Sequence, residues 1–363
     1  MDEVTQKEQQ VRALLKEKGL DALLLRRVSS FAWATGGASG YVNTATDLGA
    51  ASLLFTPQAK YVLTTNIEAT RLEKEERLAA QGFILRAAPW YEGGTDPAEI
   101  ARGLKLGADV PYPGAVDLST EVSRLRMHLL PEEQARYRAL GKLCGEAIAA
   151  AVRRVRPGQA EYEIAALLAE ESMARGALPI VNLIATDERI FAFRHPLPTA
   201  KKLERYAMLV LCGRRDGLVT SVTRLVHFGR LPDELRRKAE AVARVDATVI
   251  AASRPGARLS DVFHRVTEAY AAVGFPDEWR LHHQGGPAGY EPREMVATPA
   301  THDTLAGGMA CAWNPSITGT KSEDTILVGE RENEILTSSP DWPTLSVEVD
   351  GKTYARPTIW EVV

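Results

Sequence analysis

The sequence predicts an α/β chain in two parts: a first domain over residues 1–129 and a second, α+β, domain over 130–340, closed by a β-hairpin extension over 341–363. Two observations lead there. From Asp2 to Leu129, helix-like and strand-like stretches alternate, and beyond Pro131 two segments repeat almost position for position.

Residues 3–18 read as a helix, with Asp2 placed to cap its free N–H groups and Gly19 placed to end it. LDALLLR is strand-like, and SLLFTPQAKYVLTTN reads as two strands about a Pro-Gln turn. Helices are expected near 65–75, 97–103 and 118–127, with the strand FILRAA and the Pro/Gly-rich loop PYPGA between them. Pro131 then stands at a helix start. RPGQAEYEIAALLAEESMARG and RPGARLSDVFHRVTEAYAAVG carry Arg-Pro-Gly at 156–158 and 254–256 and closing glycines at 176 and 274, and Ile164 matches Val262 as Glu170 matches Glu268. Each copy follows a long amphipathic helix and precedes strand-like sequence, so two similar halves with a pseudo-two-fold relation are expected, and a site between them. AMLVLCG and LVTSVTRLVHF flank an Asp-Gly, a dipeptide that accepts the positive φ of a tight hairpin. MACAWNP and TILVG are later strands, and LSVEVDGKTYARP alternates about a second Asp-Gly.

Composition narrows the function classes. The chain has 363 residues, 45% of them apolar, enough for one large core or two moderate ones. Its 44 basic and 47 acidic side chains form no long block of one sign, so nucleic acid is not an expected partner. MDEVTQKEQQ lacks the layout of a signal peptide, and no apolar run approaches the roughly 18 residues of a membrane span. A cytoplasmic protein without a membrane partner is expected. Cys144, Cys212 and Cys311 are far apart and form no CxxC, which indicates neither a disulfide framework nor a zinc cage. Cys144 shares a helical face with Tyr137, Leu140, Ile148 and Val152 and is expected in the core.

GLDALLL, FAWATG, the two RPG repeats and the series TRLVHFG, GGPAGYEPRE, WNPSITG and KSEDTILV together resemble the creatinase, aminopeptidase P and prolidase superfamily over nearly the whole chain. The resemblance implies a creatinase-like N-terminal domain, a pita-bread catalytic domain and a homodimer. Peptidases of that superfamily hold two divalent ions with two aspartates, a histidine and two glutamates. Matched in order, those positions are Val210, Ser221, Gly286, Asn314 and Glu323, of which Glu323 alone keeps its acid. Two divalent ions need anionic oxygens and imidazoles at about 2.0–2.2 Å. Val210 and Gly286 offer no side-chain donor, and Ser221 and Asn314 offer neutral ones. No metal and no other cofactor is therefore expected.

His195, in FAFRHPLPTA, matches a histidine that the superfamily places beside the scissile bond, and in the metal-free creatinase branch that histidine carries the proton during C–N hydrolysis. An imidazole with a pKa near 6.5 suits the task. A structural histidine following Arg194 is the plainer reading. His282 and His283 lie near a second superfamily histidine, and an extended segment would turn one of them inward, His282 by its spacing. Arg293 stands where the peptidases carry another substrate-facing histidine, and its guanidinium suits a substrate carboxylate, or else pairs with Glu291 and Glu294 in solvent. Glu323, freed of metal, is open to three roles: base, partner of a cationic substrate group, or ion-pair partner of Arg224 or Arg293. Asn314, His283 and Arg224 complete the substrate-side set. Tyr290 and Trp313 line the pocket or belong to the core.

Three readings follow. The first is a metal-independent hydrolase acting on a C–N bond of a small amide, amidine or short-peptide substrate. Creatine itself is not expected, because Asn314 replaces the glutamate that would hold its guanidinium. The second is a pseudoenzyme that binds a small molecule or peptide end in the same cleft. The third is a metal-dependent Xaa-Pro peptidase.

Overall fold

The computed structural model describes residues 2–339 and 341–363. It divides into two compact units, Met1–Glu132 with Asp216–Leu218, and Glu133–Arg215 with Val219–Val363.

In the first unit α1 (Glu3–Lys18) begins and ends where the sequence indicates: the Asp2 carboxylate accepts from Thr5 N, and Gly19 leaves the helix at φ 63°. β1 (Ala22–Arg27), β2 (Leu48–Phe55) and β3 (Lys60–Thr65) pair antiparallel. β4 (Phe83–Ala88) adds parallel to β3, while β5 (Leu106–Ala108) and β6 (Ala115–Asp117) add in parallel beside β1, giving the order β4-β3-β2-β1-β5-β6. The helices α2 (Val28–Ala34), α3 (Asn66–Lys74), α4 (Pro97–Ile100) and α5 (Ser119–Met127) complete the unit. α2 has no counterpart in the sequence reading, because all seven of its residues are buried and leave no polar face to give a period. α4 is shorter than expected, and the end of PYPGA runs into β6 rather than staying a loop.

The second unit opens with α6 (Pro131–Arg154), α7 (Glu161–Ala174), β7 (Leu178–Thr186), α8 (Glu188–Ala192), β8 (Tyr206–Arg215) and β9 (Leu218–Phe228). Cys144 is buried in α6 on the face of Tyr137, Leu140, Ile148 and Val152. α9 (Asp233–Ala252) and α10 (Leu259–Ala272) begin the second half. β10 (Gly285–Ala288), β11 (Ala310–Trp313), β12 (Ser316–Ile317), β13 (Thr320–Lys321), β14 (Asp324–Leu327) and β15 (Glu334–Ile335) follow. Of these, β10-β11-β14-β15 form an antiparallel sheet.

The duplication is visible bond by bond. Gly158 N donates to Leu203 O at 2.7 Å and Gly256 N to Leu305 O at 2.8 Å. Leu203 N returns to Gln159 O, and Leu305 N to Ala257 O, each at 2.9 Å. Both Arg-Pro-Gly glycines adopt positive φ, 90° and 87°, a conformation that glycine reaches without a Cβ penalty. Ile164 and Val262 are both buried.

β16 (Thr344–Val349) and β17 (Lys352–Pro357) form the expected hairpin about Asp350-Gly351, and Val347 and Val349 pack on Ala243 and Ala247 of α9. β18 (Trp360–Val362) runs parallel to β9 and completes the sheet β18-β9-β8-β7. Beneath it a buried ion network ties four elements: Arg356 of β17 meets Asp246 of α9 at 2.6 Å and Asp324 of β14 at 2.5 Å, and Asp324 meets Arg224 of β9 at 2.9 Å. Among the described residues no helix is long and apolar enough to cross a membrane.

Candidate active site

Glu323 enters the site from the segment between β13 and β14. Thr223 of β9 fixes its backbone by an N–H donated to Glu323 O at 3.2 Å and its carboxylate by a hydroxyl donated to Oε2 at 2.5 Å. Lys321, two residues earlier and so able to share its side of an extended strand, puts Nζ 2.7 Å from Oε2. Arg293, from the loop after β10, puts Nη2 3.0 Å from Oε1 and Nη1 3.0 Å from Ser221 Oγ. Burial alone would raise the Glu323 carboxyl. The Lys321 ammonium, the Arg293 guanidinium and the hydrogen bonds from Lys321 and Thr223 outweigh it and hold the group at about 2. A carboxylate so held is no base near neutrality, which corrects the expectation of a catalytic role for Glu323 as base. Two cations around one anion leave a single net positive charge in the cleft.

Above this group lie the histidines. Arg194 anchors their segment by donating to Glu278 Oε2 at 2.8 Å and to Thr318 Oγ1 at 2.9 Å. His195 Nε2 then stands 3.2 Å from His282 Nε2. The His283 ring centre is 4.7 Å from that of His282 and 5.8 Å from that of His195, so both members of the pair join the site rather than one. The alternation rule fails because β10 starts only at Gly285 and no strand pairing holds this segment. Burial, then the charge of Lys321, lowers His282 to about 2. Burial, then Arg293, lowers His283 to about 4, and His195 is lowered by burial and by Lys321. His282 and His283 are therefore neutral at pH 7. Asn314 Nδ2 and Ser316 Oγ lie 3.4 Å from His282 Nε2 and Nδ1, an arrangement that suits an Nδ1–H tautomer accepting at Nε2.

These groups bound a cavity of about 290 Å³. Val181, Leu183, Val210 and Cys212 give it an apolar wall, and His195, His283, Arg293, Asn314, Lys321 and Glu323 a polar one. His283 Nδ1, Asn314 Oδ1 and Arg293 Nε are buried there without hydrogen-bond partners. Such groups cost stability unless something satisfies them.

The donor set does not fit two divalent ions. Val210 offers only methyl groups to the cavity, and Ser221 is engaged by Arg293 and by Cys212 Sγ at 3.3 Å. A Cβ on Gly286 would strike Met295 O and lie 3.0 Å from Ala297 N, so a side chain there requires the backbone at 295–297 to shift. Glu323 is already shared between two side-chain cations.

Two expected substrate contacts are corrected. Arg224 is buried in the ion network and also donates to Thr337 O at 2.9 Å, away from the cavity lining. Tyr290 is buried with its hydroxyl donating to Glu133 Oε1 at 2.6 Å, and it too is absent from the lining. Trp313 belongs to the core. Lys321 and Cys212 were missed. The Lys-x-Glu spacing in KSED was the available signal for Lys321, and the place of Cys212 two residues after Val210 on one strand was the signal for Cys212.

An α/β unit followed in the chain by a duplicated α+β unit is the architecture of the pita-bread class of the creatinase/aminopeptidase P superfamily. The model of metallopeptidase family M24 matches residues 135–330, and the chain belongs to that family. An uncharacterized peptidase of Staphylococcus aureus (strain MW2) is 25% identical over 253 residues, 66% of this chain and 70% of its own. Among solved structures, the Xaa-Pro dipeptidase from Bacillus anthracis superposes with a TM-score of 0.78 at 19% identity, covering 93% of this chain and 98% of its own. The dipeptidase PepE from Mycobacterium ulcerans does so with a TM-score of 0.78 at 18% identity, covering 99% and 98%. At these identities the likeness shows the fold.

Proposed function

We propose that this protein is a peptidase-related hydrolase that cleaves a C–N bond of a small amide, amidine or short-peptide substrate without a dinuclear metal centre. The observation that carries the reading is the cation pair Lys321 and Arg293 on Glu323, lining one cavity with His195, whose Nε2 lies 3.2 Å from His282 Nε2. The net positive charge and the unpartnered Arg293 Nε suit a substrate carboxylate, and Asn314 Oδ1 suits a substrate N–H. His195 takes the proton from an attacking water and returns it to the departing nitrogen as the C–N bond breaks, while His282 fixes its ring. Desolvation on closing the ligand into the cavity strengthens the Lys321 and Arg293 field on the oxyanion that forms.

The test is a panel of dipeptides and small N-acyl and amidine compounds, assayed with chelator present. Turnover that persists in chelator and falls by about 10²–10⁴ in kcat in His195→Ala, with KM little changed, is the expected result. Turnover abolished by chelator and restored by Mn²⁺ refutes it. A binding-only reading draws on His282, whose pKa of about 2 removes it as a proton carrier near neutrality. No turnover of any panel member, with a ligand bound equally by wild type and His195→Ala, would favour that reading.

A further inference from the structure

Proton transfer through His195 does not account for the third imidazole. Ligating nitrogens of His195, His282 and His283 all lie within 4.8 Å of one another, and two of them, His195 Nε2 and His282 Nε2, are 3.2 Å apart. Tetrahedral bonds of about 2.0–2.1 Å to nitrogen set ligand atoms roughly 3.3–3.4 Å apart. The first pair already has that spacing, and the ligating nitrogen of the third ring lies within 4.8 Å of both. His283 supplies the independent sign, because its Nδ1 is buried with no hydrogen-bond partner.

We propose that His195, His282 and His283 form a site for one borderline transition cation of the Zn²⁺ class, separate from the superfamily's two-ion positions. An all-imidazole donor set suits Zn²⁺, Ni²⁺ and Cu²⁺ and disfavours Mg²⁺, Ca²⁺ and Mn²⁺, which take oxygen. The rings are held in the neutral form that ligates. Lys321 and Arg293 oppose a cation here, and Glu323 offsets one of their two charges, so the site is weaker than three histidines in neutral surroundings. Bound through His195 Nε2, the ion leaves that ring's proton on Nδ1, so His195 has no free nitrogen to accept a proton and hydrolysis is inhibited. That consequence rests on the proposed function, whereas binding does not.

Equilibrium dialysis of the full chain against Zn²⁺ and, separately, Mn²⁺, followed by elemental analysis, reads occupancy without any substrate. The expected result is about one Zn²⁺ per chain, no retained Mn²⁺, and loss of the Zn²⁺ in both His283→Gln and His195→Gln, whose near-ultraviolet circular dichroism confirms that they fold. Co²⁺ substitution should give visible absorption typical of a tetrahedral nitrogen-ligated ion. No Zn²⁺ in the wild type, or Zn²⁺ retained equally by both folded variants, overturns the site. Either result leaves the hydrolysis reading to its own chelator assay.

Discussion

Lys321 and Arg293 hold Glu323 at the wall of one cavity, and the group can be tested one charge at a time. Removing Lys321 leaves Arg293 and Glu323 as a balanced pair, whereas removing the carboxylate leaves two buried cations uncompensated, so Glu323→Gln should cost about 3 kcal/mol in urea unfolding at unchanged m and Lys321→Met clearly less. A second prediction concerns pH. His282 titrates at about 2 when folded against 6.5 in the open chain, and His283 at about 4. The unfolded state therefore binds protons first, so this stability is fully present above pH 6.5 and is lost as pH falls toward those values. With chelator present, Tm should fall from pH 7 to pH 5, and His282→Asn should flatten that fall. An unchanged slope would mean that the ring is not buried neutral. At this scale the sequence was partly legible. Arg293 with Glu323 stood among the expected pairs, but His283 was discounted by a strand rule that its unpaired segment does not obey, and Tyr290 and Arg224 look like site residues until their buried partners Glu133 and Asp324 are seen.

Elements were legible where a period or a repeat exposed them. α1 carries a polar face and capping residues, α6 a polar face and an opening proline, and the Arg-Pro-Gly repeat is one set of hydrogen bonds used twice. α2 and the three-residue strands β5 and β6 were not, the one for lack of a polar face and the others for lack of length. β10 also decides whether the lost ligand set can be rebuilt. A side chain at Gly286 meets the backbone of Met295 and Ala297, which cannot move as a side chain would. Gly286→His should destabilise the protein by about 1–3 kcal/mol or more and gain no affinity for Mn²⁺. A stable variant that binds Mn²⁺ would show that the 295–297 segment yields.

For the molecule as a whole, the two-part α/β fold was readable from alternation and duplication, but its stabilising charges were not, since Asp246 and Arg356 are 110 positions apart in the chain. Arg356 and Arg224 together balance Asp246 and Asp324 in the interior, and losing Arg356 leaves one carboxylate uncompensated, so Arg356→Met should cost about 3–5 kcal/mol by thermal or urea unfolding. A loss under about 1 kcal/mol would mean that the network contributes little. Membership of metallopeptidase family M24 sets the expectation of a metal pair, and the side chains of this cleft argue against it. The most direct measurement is Mn²⁺ content by elemental analysis after equilibrium dialysis of the full chain. Essentially no Mn²⁺ retained is the result expected of a cleft whose carboxylate is held by Lys321 and Arg293, and close to two Mn²⁺ per chain would contradict it.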